Sequence, residues 1–342
     1  MGVDLGSIVP RKEIDFGYLK NKSVAIDAFN ALYQFLSSIR GQDGSHLMDS
    51  KGKVTSHLQG LFSRNLNLMT KGIKLVYVFD GEAPKLKFRE QLERRERKIV
   101  AEQKYKEAVS EEDLDEMYKY SKQFTRLDSD MIEESKRLIS ALGIPVVQAP
   151  SEAEGQASFM CKNKVVDFAA SQDYDALLFG APKLVRNLTL SQKRKISGGR
   201  TVFTFLEFIE LNEVLKELKL THEQLIVLGI LTGTDFDPGG VKGYGPKKAL
   251  KLVQEYRTEK DFDKMFKELN VDFDWKAVYD IFVDLPVDGK VKLKWEAIDE
   301  DEVRKILVDE HDFSIDRVNN SLAKYKEENK NANQKGLGEF LS

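Results

Sequence analysis

Acidic residues close four of the apolar runs in this 342-residue chain. Val24-Ala25-Ile26 ends at Asp27, and Leu75-Val76-Tyr77-Val78-Phe79 ends at Asp80. Ile144-Pro145-Val146-Val147 leads to Glu152 and Glu154, and Val165-Val166-Asp167-Phe168-Ala169-Ala170 leads to Asp173 and Asp175. Hard oxygen donors in that number suit Mg²⁺ or Mn²⁺. Two such ions about 4 Å apart clamp the attacking and leaving oxygens of an in-line phosphoryl displacement. Carboxylates packed together without cations repel one another, and several take up protons. A single acid at a strand end is more often a turn former or a helix cap. The set reads as a site because every member falls at the same end of an apolar run.

The runs are short, continuous and separated by helical stretches, the pattern of strands buried on both faces of a parallel sheet. The predicted fold class is therefore α/β, a central, mostly parallel twisted sheet flanked by helices. Such sheets hold ligands outside the carboxyl ends of their strands. Helices are expected at Ala28–Ile39, Ser56–Met69, Ser129–Leu142 (closed by Gly143), Ala153–Lys162 and Ser314–Lys330. Another is expected at Thr221–Leu231, where Thr221 and Gln224 form a capping box. Leu184–Leu190 and Arg200–Phe205, around the basic loop Ser191–Gly199, predict a hairpin at the sheet edge. Asn331–Asn333 reads as a polar linker into a short tail.

Between Lys85 and Tyr120 basic residues outnumber acids and apolar residues are sparse. A helix so polar does not lie flat on a core, so this stretch reads as a projecting helical insertion, with a further helix starting at Ser110-Glu111-Glu112-Asp113. Lys87 and Arg94, seven apart, share a helical face next to the acidic edge and are placed to hold a phosphate as charge develops on it. Gly239-Gly240-Val241-Lys242-Gly243-Tyr244-Gly245-Pro246-Lys247-Lys248 is the pattern of a helix-hairpin-helix. Its glycines let backbone approach a partner, and the helix opened by Pro246 offers free N–H groups to a phosphate. Tyr33, six residues after Asp27, is placed to stack on a base, although an isolated Tyr more often packs into a core. His46, His57, His222 and His311 show no ligand spacing and are assigned no chemistry. The tail Gln334-Lys335-Gly336-Leu337-Gly338-Glu339-Phe340-Leu341 has the apolar spacing of a plug for a partner's pocket.

Hydrophobic residues make up 41% of the chain and charged residues 32%, the composition of a globular protein with a charged surface. Its one cysteine, Cys161, excludes an internal disulfide framework and points to a reducing compartment. No stretch is apolar and long enough to span a bilayer, and no signal region opens the chain, so a cytoplasmic, membrane-free setting is expected. The net charge of −3 averages over an acidic edge and a basic insertion, so it does not argue against nucleic acid.

Together these residues resemble the archaeal branch of the flap endonucleases, within the FEN/XPG family of structure-specific 5′ nucleases. The resemblance runs from Met1-Gly2-Val3 to the tail. It is carried by Val24-Ala25-Ile26-Asp27-Ala28, Val76-Tyr77-Val78-Phe79-Asp80-Gly81, Ala149-Pro150-Ser151-Glu152-Ala153-Glu154, Ala170-Ser171-Gln172-Asp173-Tyr174-Asp175-Ala176-Leu177-Leu178 and Gly233-Thr234-Asp235. It implies a PIN/FEN-like nuclease core over residues 1–330. Within that, 1–84 and 127–235 form the core proper, 85–126 the basic arch, 236–256 the helix-hairpin-helix and 257–330 a helical part, with 331–342 a flexible tail. It implies seven metal-site acids, adding Asp235 to the six already named. Asp27, Asp80, Glu152 and Glu154 would lie towards one Mg²⁺ and Asp173, Asp175 and Asp235 towards a second. It implies DNA contacts at Gly2, Tyr33, Lys87, Arg94, Gly240, Gly243, Gly245, Lys247 and Lys248, and a monovalent cation (K⁺) on the carbonyls of Gly240 and Val241. Gln334, Leu337, Phe340 and Leu341 would dock on the PCNA sliding clamp.

The activity so implied is cleavage near the junction of a 5′ flap with duplex DNA, with 5′–3′ exonuclease activity, by a monomer of a prokaryotic, nucleoid-associated setting. The role is replication (Okazaki fragment maturation) and repair. Two features depart from the family's pattern: Phe340-Leu341 stands where two aromatics are usual, and Asp237 where a neutral polar residue is expected. The chain also stops at the clamp motif, without a basic extension. Rival readings are a sister 5′ exonuclease or bubble-cutting nuclease, a non-catalytic clamp accessory with structural metal, and a small-molecule phosphatase.

Overall fold

The structure, a computed structural model, describes residues 2–41, 44–110, 127–190, 193–195 and 201–339, together with Glu116 and Tyr120. In chain order its elements begin with β1 (Lys12–Ile14), β2 (Ser23–Asp27), α1 (Ala28–Ser38), α2 (Ser56–Thr70), β3 (Lys74–Phe79), α3 (Lys87–Ser110), α4 (Ser129–Ala141) and β4 (Val146–Gln148). There follow α5 (Ala153–Lys162), β5 (Phe168–Ala170), α6 (Asp175–Leu178), β6 (Lys183–Arg186), β7 (Lys193–Lys195), β8 (Thr201–Phe203), β9 (Leu206–Glu210), α7 (Leu211–Leu218) and α8 (His222–Thr232). The chain ends with α9 (Pro246–Val253), α10 (Glu259–Glu268), α11 (Trp275–Asp284), α12 (Glu300–Arg304) and α13 (Ile315–Glu339).

Seven strands form one sheet in the order β1-β9-β6-β5-β2-β3-β4. β4, β3, β2, β5 and β6 are parallel, while β9 and β1 add an antiparallel edge. From β2 the chain first steps outward through β3 to β4, then returns to the other side of β2 with β5. The order thus reverses between β2 and β5, and a crevice at such a switch point is where an open parallel sheet binds its ligand.

Strand residues alternate between two cores. Ala25, Val76, Val78, Ala169 and Leu184 face the layer of α5, α6 and α8. Val24, Ile26, Leu75, Tyr77, Phe79, Phe168 and Val185 face α1, α2, α4 and α13. Burial on both faces explains why these strands read as unbroken apolar runs instead of alternating ones. Among the described residues no helix is long and apolar enough to cross a membrane.

Three expectations need correcting. The run Val165–Ala170 gives a strand only from Phe168, because Lys164 sits at φ +59° and turns the chain, and the Asp167 carboxylate accepts from the Ser23 N–H and hydroxyl. A hairpin does form, between β7 and β8, but as a two-stranded sheet of its own and not as an edge of the main sheet. Its first arm lies inside the stretch read as loop. Leu184 and Val185, fully buried, are instead drawn into the main sheet between β5 and β9. The linker expected at Asn331–Asn333 is absent: α13 runs through it to Glu339, since no proline there removes a helical N–H. The further helix read from Ser110 onward falls at 111–126, and all but Glu116 and Tyr120 of that stretch lies outside the described residues. α3 leaves Phe88, Leu92 and Val100 exposed, as a helix with no core behind that face does.

Candidate active site

Local chain chemistry fixes each acid before any of them meets another. Asp27 ends β2 and caps α1, its Oδ1 accepting the Asn30 N–H at 3.0 Å. Asp80 leaves β3 and accepts the Ala153 N–H of the first turn of α5 at 2.6 Å, a helix N-terminus favouring a negative charge. That contact brings two strand ends together, and Gly81 permits it: a Cβ there would lie 2.2 Å from the Ala149 carbonyl oxygen. Glu152 occupies the N-cap position of α5 and Glu154 its first turn. Asp173 accepts from Asn30 Nδ2 at 3.3 Å, and Asp175, at the start of α6, accepts the Val3 N–H at 2.8 Å. Gly2 fits there because it has no side chain: a Cβ would stand 2.5 Å from Asp175 Oδ2.

These positions converge. Asp27, Asp80, Glu152, Glu154, Asp173 and Asp235 line one cleft of about 770 Å³ at the carboxyl edge of the sheet, beside Tyr33, Lys87 and Arg94. Asp175 lies buried just behind, close enough to repel Glu154. Burial, then Asp80, pushes Asp27 up to about 8. Burial, then Asp235 and Asp173, pushes Asp175 up to about 7. Burial also raises Asp80, Glu152, Glu154 and Asp173. Asp235 alone of the seven is held low: burial raises it, but neighbouring positive charges, Lys87 and Arg94 among them, outweigh that.

The cations come from α3. Lys87 pairs with Glu152, and its Nζ lies 3.9 Å from Asp235 Oδ2. Burial would lower the Lys87 ammonium, but Glu152, Asp80 and Asp235 raise it on balance. Arg94 Nη2 lies 2.7 Å from Glu90 Oε1 and 3.5 Å from Asp235 Oδ2. Two positive groups thus face six of the seven carboxyls across the cleft. Among the described residues no three acids, histidines or cysteines stand close enough together, as placed, to hold a metal ion. The donor set still fits hard divalent cations: all oxygen, crowded, and with six carboxyls displaced towards protonation by burial and by one another's charge.

Tyr33 lines the cleft, with Lys98 Nζ 4.8 Å from its ring centroid. Gly233 and Gly240 cross so closely that a Cβ on Gly240 would lie 2.4 Å from the Gly233 nitrogen, and Gly240 has φ +53°. This crossing ties Asp235 to the hairpin that follows. Gly243 lies at φ +84°, and Gly245 caps α9 without a side-chain hydrogen bond, leaving the Lys247 end of the helix free for an anion. Lys248 Nζ lies 4.1 Å over the Tyr244 ring. Asp237 is 6% exposed, its Oδ2 without a hydrogen-bond partner, and burial pushes it up to about 6. Gln334 and Leu337 fall on the backbone of α13, while Phe340 and Leu341 lie outside the described residues.

Sequence reading missed two supporting residues. Ser171 donates to Glu154 and accepts the Asp173 N–H, and Asn30 ties Asp27 to Asp173. Asn30 is three residues after a capping Asp, a spacing that places it over the same helix end.

Known proteins carry the same frame. Residues 5–101 match the XPG N-terminal domain and residues 143–235 the XPG I-region. Flap endonuclease 1 of Pyrococcus furiosus is 51% identical over 339 residues, covering 98% of each chain. Flap endonuclease 1 of Hyperthermus butylicus is 47% identical across the whole of this chain and 99% of its own. Among solved structures, flap endonuclease-1 from Methanococcus jannaschii superposes with a TM-score of 0.76 at 42% identity, covering 97% of this chain and 100% of that one. The catalytic core of Rad2 in complex with DNA substrate gives 0.66 at 25% identity, covering 92% and 96%. The chain belongs to the flap endonuclease family of XPG-type, metal-dependent, structure-specific nucleases.

Proposed function

We infer that this chain hydrolyses a phosphodiester near the junction of a 5′ single-stranded flap with duplex DNA, with accompanying 5′–3′ exonuclease activity. The observation that carries the reading is the single cleft in which six carboxylates face Lys87 and Arg94. Asp27, Asp80, Glu152, Glu154, Asp173, Asp175 and Asp235 are assigned as the residues that hold two Mg²⁺ ions, or Mn²⁺ in their place. Divalent ions, when bound, supply charge for the developing phosphoryl oxygens and make water a nucleophile near neutral pH.

The protein's own groups do the rest. Lys87 and Arg94 exchange part of their pairing with Glu152 and Asp235 for the scissile phosphate, steadying the charge that grows there. Tyr33 stacks on the base beside it. Gly240, Gly243, Gly245, Lys247 and Lys248 seat the duplex backbone at the N-terminus of α9, with K⁺ on the hairpin carbonyls, and Gly2 lets the chain start lie against the carboxylates. Phosphate contacts carry no base information, so shape is selected instead of sequence. The tail from Gln334 to Leu341 is assigned to the PCNA clamp, the enzyme to a monomer, and its place to the nucleoid of the cytoplasm.

One gel assay tests this. Labelled 5′-flap, nicked, gapped and bubble substrates are incubated with Mg²⁺ or EDTA. Flap cleavage that needs Mg²⁺, disappears in Asp175→Asn and leaves DNA binding intact is expected. Undiminished cleavage in Asp175→Asn, or cleavage of phosphomonoesters alone, overturns the reading.

A further inference from the structure

Outside the cleft, three of the four histidines gather, although nothing in their spacing along the chain suggests it. His57 on α2 is fully buried, and neither ring nitrogen has a hydrogen-bond partner. His311, just ahead of α13, is 2% exposed. Its Nδ1 lies 3.0 Å from Asp49 Oδ2, while its Nε2 has no hydrogen-bond partner. Glu134 on α4 spans the two rings, with Oε1 3.3 Å from His311 Nε2 and Oε2 3.9 Å from His57 Nε2. His46 adds a fourth buried ring nitrogen without a partner, and lies near enough to His57 to affect its charge. Lys53 Nζ approaches Glu134 Oε1 at 3.5 Å from the exposed side.

Orphaned buried nitrogens call for an occupant. A hydrogen bond does not supply it: His311 Nε2 and Glu134 are near, but wrongly angled. The separation is that of two ligands in one coordination sphere, since donors roughly 2.0–2.1 Å from a tetrahedral ion stand about 3.3 Å apart. As placed, the three donors are not close enough together to hold an ion, and His57 Nε2 has to approach by roughly half an ångström to reach that spacing.

The surroundings prepare the ligands. Asp49 Oδ1 accepts the N–H groups of Lys51 at 2.9 Å and Lys53 at 2.8 Å. Burial would raise the Asp49 carboxyl, but those amides and His311 outweigh it and hold it low. Asp49 Oδ2 accepts a hydrogen bond from His311 in its Nδ1–H tautomer, which leaves the lone pair on Nε2. A carboxylate behind a ligating imidazole is the usual support of such a site.

We propose that His57, His311 and Glu134 form a second, structural metal site for a borderline transition ion such as Zn²⁺, backed by Asp49. Two imidazoles and a carboxylate select zinc over the hard ions of the nuclease cleft. The site clips the segment ahead of α13 onto α2, α4 and the Asp49 turn, elements up to 262 residues apart in the chain.

The test uses the full chain, stripped by chelator and dialysed against micromolar Zn²⁺ with excess Mg²⁺. It is carried out in an Asp80→Asn/Asp173→Asn/Asp175→Asn background, which removes acids from both metal assignments, and any zinc left in the nuclease cleft is common to every arm. One zinc per chain by elemental analysis is expected, with visible absorption bands when Co²⁺ replaces it. Glu134→Gln, isosteric and partly exposed, is expected to lose the zinc, the bands and the zinc-dependent rise in melting temperature, while circular dichroism confirms its fold. No zinc in the Glu134-intact protein, or equal zinc in Glu134→Gln, overturns the proposal. No arm reads cleavage, so the result stands apart from the nuclease reading.

Discussion

Lys87→Met separates two roles that the geometry superimposes. The Lys87 ammonium neutralises Glu152 and Asp235 in the free protein, and the same group is assigned to the scissile phosphate. If the phosphate contact matters, single-turnover flap cleavage at saturating Mg²⁺ should fall by roughly 10²–10³, equivalent to about 3–4 kcal/mol, as for loss of one preorganised donor to a developing oxyanion. The counterion role makes an opposite demand on metal affinity. Removing Lys87 leaves the Glu152 and Asp235 carboxylates less neutralised, so the cleft should attract divalent cations more strongly, and the Mg²⁺ concentration for half-maximal rate should stay level or fall. The assay is a Mg²⁺ titration of single-turnover cleavage, with circular dichroism to confirm the fold. A variant that regains the parental rate at high Mg²⁺ would show Lys87 to be a counterion alone and would refute its catalytic assignment.

Other outcomes follow from the same contacts. Asp27 and Asp175, with folded values near 8 and near 7, bind protons in the folded state that the unfolded chain has already lost. The metal-free protein should therefore lose stability as pH rises from about 4 to about 8, and the rise in melting temperature on adding Mg²⁺ should be larger at pH 8 than at pH 6; equal shifts would contradict this. Gly240→Ala forces a Cβ to 2.4 Å from the Gly233 nitrogen at a left-handed φ, which should cost about 1–3 kcal/mol by chemical denaturation and weaken duplex binding. Asp237→Asn replaces a buried carboxyl raised to about 6, so its melting temperature should exceed the parent's by a margin that grows from about pH 4 to about pH 6 and then levels off. An unchanged margin across that range would remove Asp237 from the list of buried charges.

How far the site could be read in advance depended on whether a residue's partner was local or distant. The strand ends announced Asp27 and Asp80 because a both-sides-buried strand must be apolar until it leaves the sheet, so the first acid marks the edge. Ile144–Val147 and Phe168–Ala170 did the same at lower resolution: the strand of the last run starts later than its apolar residues do, since Lys164 turns and Asp167 anchors to Ser23. Asp235 gave no such signal. It follows a helix, and it reaches the cleft through the crossing of Gly233 over Gly240, a backbone approach that glycine permits but does not advertise. Pairing between distant strands was equally hidden: Leu184 and Val185 suit a hairpin or a central strand, and the choice was made by the burial that β5 and β9 offer. The histidines are the limiting case. His57, Glu134 and His311 lie on α2, α4 and the approach to α13, with no period linking them, and only the packing of α13 on the same core as α2 and α4 brings them within 4 Å. Chemistry written into a strand end or a helix turn is legible in a sequence, whereas chemistry assembled by the docking of remote elements becomes visible only once the fold has placed them.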